Sequence, residues 1–118
     1  MKGIVVTPDI ELTVQDFSEP LYKSVGAVVG GCIEHVHPKG LPRPYCLICN
    51  DNGLALELPI NYIGSLLYGT PKHGYPIVGT IVLMKDGFVN SEPDIVGLDD
   101  EDVDKLAVLL AKLGLQKA

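Results

Sequence analysis

The run Ile77-Val78-Gly79-Thr80-Ile81-Val82-Leu83-Met84 is almost continuously apolar. A run of that kind reads as a strand at the centre of a sheet, where both faces are covered. Thirteen Gly and nine Pro are more than a helical bundle tolerates, and they predict many turns and short strands around that centre. The chain has 118 residues, 47% of them apolar. That is enough for one core in a single domain spanning residues 1–118, and too little for two domains.

Five further segments read as strands. Lys2 to Thr7 is rich in β-branched residues and is closed by Pro8-Asp9. Ile10 to Val14 alternates Ile10, Leu12 and Val14 against Glu11 and Thr13, the period of a half-buried strand. Cys32 to His37 and Tyr45 to Cys49 follow, separated by the Pro-rich segment Pro38 to Pro44, which cannot join a ladder. Asn50-Asp51-Asn52-Gly53 predicts a tight turn, with Leu54 to Leu58 as the return arm of a hairpin. Phe88 to Val96 is at most an edge segment interrupted by Pro93.

Three helices are expected. The first has Ser18 as N-cap and Pro20 in its first turn, shares Leu21, Val25, Val28 and Val29 on one face, and stops at Gly30-Gly31. A short second helix opens at Pro59-Ile60-Asn61 with Ile63, Leu66 and Leu67 inward, and Gly69 to Tyr75 is a loop after it. The last is capped by Asp99, with the acidic run Asp99-Asp100-Glu101-Asp102 at its positive end and Lys105, Lys112 and Lys117 toward its negative end. Its buried stripe is Val103, Leu106, Ala107, Leu110 and Leu113. The predicted class is α+β: a mixed, mainly antiparallel sheet of about five to six strands with two to three helices packed on it.

Composition excludes several functions. No stretch reaches the roughly 20 apolar residues of a membrane span. The opening apolar run is too short for a signal peptide, and three Cys are an odd number for a secreted disulfide framework, so a cytoplasmic setting is expected. A formal charge of −6 with Arg43 as the lone arginine leaves few cations for phosphates, and no nucleic-acid partner is expected.

His35-x-His37 and Cys46-x-x-Cys49 are all zinc-ligand types. In a strand, however, residues three apart point to opposite faces, so Cys46 and Cys49 should not converge on one ion. Buried free thiols are the preferred reading, and neither a metal nor any other cofactor is expected. A reactive Cys-x-x-Cys also needs a helix N-terminus, which this pair lacks. A lone Cys nucleophile with His35, His37 or His73 as base has no motif to place it. Glu34 and Glu57, the candidate acid–base pair, are read as wet-face carboxylates. No catalytic residues are assigned, and the chain is not expected to be an enzyme. Gly30-Gly31 follows a helix, whereas a dinucleotide loop follows a strand. Asn50 suits a turn and Asn61 a helix cap.

Val29-Gly30-Gly31-Cys32-Ile33-Glu34, Asn50-Asp51-Asn52-Gly53, Leu58-Pro59-Ile60-Asn61 and Val78-Gly79-Thr80 occur in that order. Together they resemble a small-domain family of unknown function found in phages, plasmids and their bacterial hosts. The resemblance covers roughly Val28 to Val82. It implies an accessory protein of a mobile element that acts on host machinery, with counter-defence as one role. A shared family site would use Glu34, Asn50, Asn61 and Gly79.

The function expected is therefore stoichiometric capture of a host protein or a nucleotide-like small ligand. Glu34, Asn50, Asn61 and Tyr62 would supply the polar groups of a pocket, with backbone amides near Gly30 and Gly31 assisting. Two alternatives stand beside it: a small hydrolase or transferase using Glu34 or a Cys/His pair, and a structural or regulatory subunit that self-associates as a homo-oligomer.

Overall fold

The computed structural model describes residues 1–69 and 76–114. The loop expected from Gly69 to Tyr75 (all of it beyond Gly69, with His73) and Lys117 lie outside the described residues.

The strands are β1 (Lys2–Val6), β2 (Leu12–Asp16), β3 (Ile33–Val36), β4 (Tyr45–Asn50), β5 (Ile81–Val89) and β6 (Glu92–Val96). The helices are α1 (Leu21–Val29), α2 (Tyr62–Tyr68) and α3 (Asp100–Lys112). One sheet runs β2-β1-β5-β4-β3, with β6 pairing onto the far half of β5, and every named pair is antiparallel. The α+β class holds. Among the described residues no helix is long and apolar enough to cross a membrane.

The central run is buried for the expected reason. Ile81, Val82, Leu83 and Met84 have no exposed surface, with β1 on one side and β4 on the other. Their side chains alternate between two cores. Ile81 and Leu83 join Ile4, Val6, Tyr45, Leu47 and Cys49 beneath α2 and α3, which contribute Ile63, Leu67, Leu106 and Leu110. Val82 and Met84 join Val5, Cys46 and Ile48 beneath α1, which contributes Val25 and Val29.

Several expectations shift. The ladder begins at Ile81, because Gly79 turns with φ +79° and Val78 makes only an isolated bridge to Ile60. It then continues to Val89, where Asn90 and Ser91 (φ 52° and 66°) form a two-residue turn into β6. Positive φ at both central positions is the geometry whose twist matches paired strands. Pro93 sits inside β6 opposite Phe88 and is tolerated on an edge.

Leu54 to Leu58 is not a strand. Both sides of β4 are already taken by β3 and β5, so no ladder position is left for a return arm. The segment instead coils through short backbone bonds, Leu56 N–H to Asn52 O at 3.0 Å and Leu58 N–H to Gly53 O at 3.1 Å. β2 starts late because Ile10 occupies a turn with φ 63°, and of its expected apolar face only Leu12 is buried. Leu66 points outward from α2.

The helix ends follow local chemistry with one exception. Asn61 caps α2 by accepting from Gly64 N–H at 2.9 Å, and Gly30 ends α1 in the left-handed conformation. Asp99 and Asp102 form a reciprocal capping box on α3. Ser18 does not cap α1: Pro20 holds the N-cap position without a side-chain bond, and Ser18 offers only its carbonyl, to Ser24 Oγ at 2.6 Å.

Candidate functional site

The register of the sheet builds a polar cluster that no local motif announces. His35 stands opposite Ile48, which places it on the α1 face. The two-residue period carries His37 to that face as well. On the neighbouring strands Cys46 pairs with Met84, so Asp86, two residues beyond Met84, projects from the same side. All four side chains therefore share one face and one end of the sheet.

Asp86 is the hub. Its Oδ1 lies 2.9 Å from His35 Nε2 and its Oδ2 lies 2.6 Å from His37 Nε2. The two imidazoles lie against each other with centroids 4.5 Å apart. Arg43 Nη1 approaches Asp86 Oδ2 to 4.0 Å. Beneath them Cys46 is fully buried, and its thiol is pushed up to about 12, chiefly by burial and then by the Asp86 carboxylate. Suitable ligand atoms of His35, Cys46 and Asp86 all lie within 4.8 Å of one another.

A cleft of ≈ 610 Å³ opens over this cluster. Pro44, Phe88, Pro93 and Ile95 supply apolar walls, and Arg43 and Asp94 add charge of both signs. The size falls within the usual range for small-molecule sites. Phe88, opposite Pro93 in the ladder, is 74% exposed, so most of its ring stays open to solvent at the cleft wall.

The residues singled out from sequence fall into separate places. Glu34 and Asn50 line one small cleft of ≈ 270 Å³ at the opposite end of β3 and β4. Gly31 packs beside it, since a Cβ there would sit 3.1 Å from Asn50 Nδ2, and Gly30 adjoins as the helix stop. Asn50 already donates Nδ2 to Val29 O at 3.1 Å and accepts from Asn52 N–H at 2.8 Å. Glu34 is exposed, as a wet-face carboxylate should be, and Cys49 Sγ faces it at 3.8 Å. Burial, and then Glu34, push that thiol up to about 12.

Asn61 and Gly79 belong together elsewhere. Asn61 is fully buried and donates to Val6 O at 3.0 Å and to Gly79 O at 2.9 Å, so with its cap bond every polar group of the amide but one lone pair is committed. Tyr62 stands beside them in sequence but faces solvent, 54% exposed. Glu34, Asn50, Asn61 and Tyr62 do not meet in one pocket.

Cys46 and Cys49 do lie in opposite cores, as strand geometry requires. That argument removes the pair, but it leaves Cys46 free to act with His35 and Asp86. Asp86 is the residue that sequence reasoning missed. The available signal was Asn90-Ser91 between two short β-prone segments, which reads as a hairpin and would have extended the central strand through Asp86.

A second charged cluster lies on the other face. Asp102 accepts from Tyr45 Oη at 2.8 Å and from Lys85 Nζ at 2.6 Å, and Tyr45 and Lys85 are direct cross-strand partners. It fastens the start of α3 to the sheet.

No curated protein and no solved structure matches this chain. A family model, the domain of unknown function DUF3846, matches residues 1–111. With nearly its whole length matched, the chain belongs to the DUF3846 family.

Proposed function

We propose that this protein is a non-enzymatic binding protein that captures one small, planar, nucleotide-like ligand in the cleft over His35, His37 and Asp86. The observation that carries the reading is the pairing of an exposed aromatic wall with hydrogen-bonding imidazoles in a cavity of ≈ 610 Å³. Phe88 offers a face on which a base can stack, an interaction of about 1–3 kcal/mol. His35 and His37 offer ring nitrogens to base or sugar edges, and Arg43 offers a guanidinium to an anionic group. Among the described residues that line the cleft there is no hydroxyl or thiol, and Cys46 lies buried next to them, which supports capture over turnover. Sequestration of a nucleotide signal in a phage or plasmid setting, as a counter-defence device in the cytoplasm, is the biological role we attach to it.

The test is calorimetric titration with a panel of nucleoside monophosphates and cyclic nucleotides. Stoichiometric binding of at least one, weakened at least tenfold in Phe88→Ala and unaffected in Tyr62→Ala, is expected. Absence of binding across the panel, together with a stable polypeptide partner recovered from host cells, would overturn it in favour of protein capture.

A further inference from the structure

We propose that His35, Cys46 and Asp86 form a binding site for a transition-metal ion of the zinc class at the floor of this cleft, with His37 positioning Asp86. The inference goes beyond the ligand reading above and does not depend on it.

The donor set is the first argument. One imidazole nitrogen, one sulfur and one carboxylate oxygen, with a second imidazole behind the carboxylate, is the mixture of borderline and soft ligands that zinc and its neighbours prefer. Calcium and magnesium take oxygen instead. A tetrahedral ion with bonds of about 2.0–2.3 Å holds its ligand atoms roughly 3.3–3.8 Å apart. The three ligand atoms lie within 4.8 Å of one another, so small side-chain rotations suffice to close on an ion.

The placement is the second argument. Each ligand comes from a different strand, β3, β4 and β5, in the interior of a hydrogen-bonded ladder. Backbones held in that way fix ligand positions better than loops do. Cys46 is at the bottom with no exposed surface, whereas His35 and Asp86 keep 36% and 29% of their side-chain surface open to the cleft. An ion can therefore enter from the cleft and meet the sulfur last. His37 Nε2, at 2.6 Å from Asp86 Oδ2, stands where a residue that orients a ligating carboxylate stands. Three protein ligands leave one coordination position facing the cavity, where a bound molecule could supply the fourth donor.

The experiment uses the full chain, stripped with a chelator and dialysed against Zn²⁺ or Co²⁺. Expected are one ion per chain by elemental analysis and, for Co²⁺, strong tetrahedral d–d bands with a thiolate-to-metal charge-transfer band. Cys46→Ser should lose the charge-transfer band while Cys32→Ser and Cys49→Ser keep it. Should Cys46→Ser fail to fold, Asp86→Asn and His35→Ala, both at partly exposed positions, should fold by circular dichroism and lose the ion. His37→Gln should weaken binding by about 10–100-fold without abolishing the spectrum. Failure of the folded wild type to take up a stoichiometric ion, or uptake that survives both His35→Ala and Asp86→Asn, would overturn the site. Because no nucleotide enters the assay, a negative ligand screen leaves this result standing, and the reverse also holds.

Discussion

His37 Nε2 lies 2.6 Å from Asp86 Oδ2, although 49 positions separate the two residues and β4 stands between β5, which holds Asp86, and β3, whose end His37 follows. One carboxylate thus reaches across a neighbouring strand to hold two imidazoles that are themselves two residues apart. The contact sets the chemical character of the cleft, since it gathers the polar groups of the floor at a single point.

The three thiols should differ sharply in reactivity. Cys32 is exposed, whereas Cys46 and Cys49 are buried on opposite faces with thiols pushed up to about 12. Titration of the native protein with a disulfide reagent should show one fast thiol, absent in Cys32→Ser, and two more only after unfolding. Three equally fast thiols would contradict the burial of both strand cysteines.

Acid should loosen the attachment of α3. Burial on its own would raise the Asp102 carboxyl, but the Asp99 amide, Lys85 and the Tyr45 hydroxyl more than offset it and hold it at about 2, below its ordinary 3.8. A depressed carboxyl stabilises the fold fully above its unfolded value and ceases to do so as pH falls through the folded one. Thermal melts should therefore lose stability between about pH 4 and pH 2. Asp102→Asn should flatten that limb, and an unchanged slope would refute the assignment. Burial, with Asp102 next, pushes the Tyr45 phenol up to about 12, so its contribution holds below pH 10 and fades as pH rises toward 12.

Asn61→Ala should be among the most damaging single changes. It removes a fully buried amide and strands the carbonyls of Val6 and Gly79 and the N–H of Gly64. Orphaned buried groups of this kind cost about 1–3 kcal/mol each, with incomplete additivity. Denaturant unfolding should show a lower midpoint with an unchanged slope. A loss below about 1 kcal/mol would mean that Asn61 is not structural in this way.

Ser91→Gly should stabilise the protein. Ser91 holds φ 66° in the turn between β5 and β6, where a Cβ is strained and glycine is not. A gain of about 0.5–1 kcal/mol is expected, read as a rise in melting temperature. A fall would show that the serine side chain contributes to the turn.

The sequence by itself determined the parts governed by nearest neighbours. Asn61 and Asp99 cap their helices, Gly30 stops α1, and Asn50 bonds its own turn, because each reaches a partner within a few residues. Alternation likewise settled that Cys46 and Cys49 part company. The burial of Ile81 to Met84 was legible for a similar reason, since a strand apolar on both sides has only one stable place.

Competition between strands could not be read in this way. Leu54 to Leu58 has the composition of a strand, yet β3 and β5 had already claimed both edges of β4, and occupancy of a ladder is a property of the assembled sheet. The candidate site is the same kind of fact. His35, Cys46 and Asp86 lie on three strands whose order and register alone bring them within 4.8 Å. Only the tertiary structure decided that, because register couples distant residues through backbone hydrogen bonds that carry no side-chain signature.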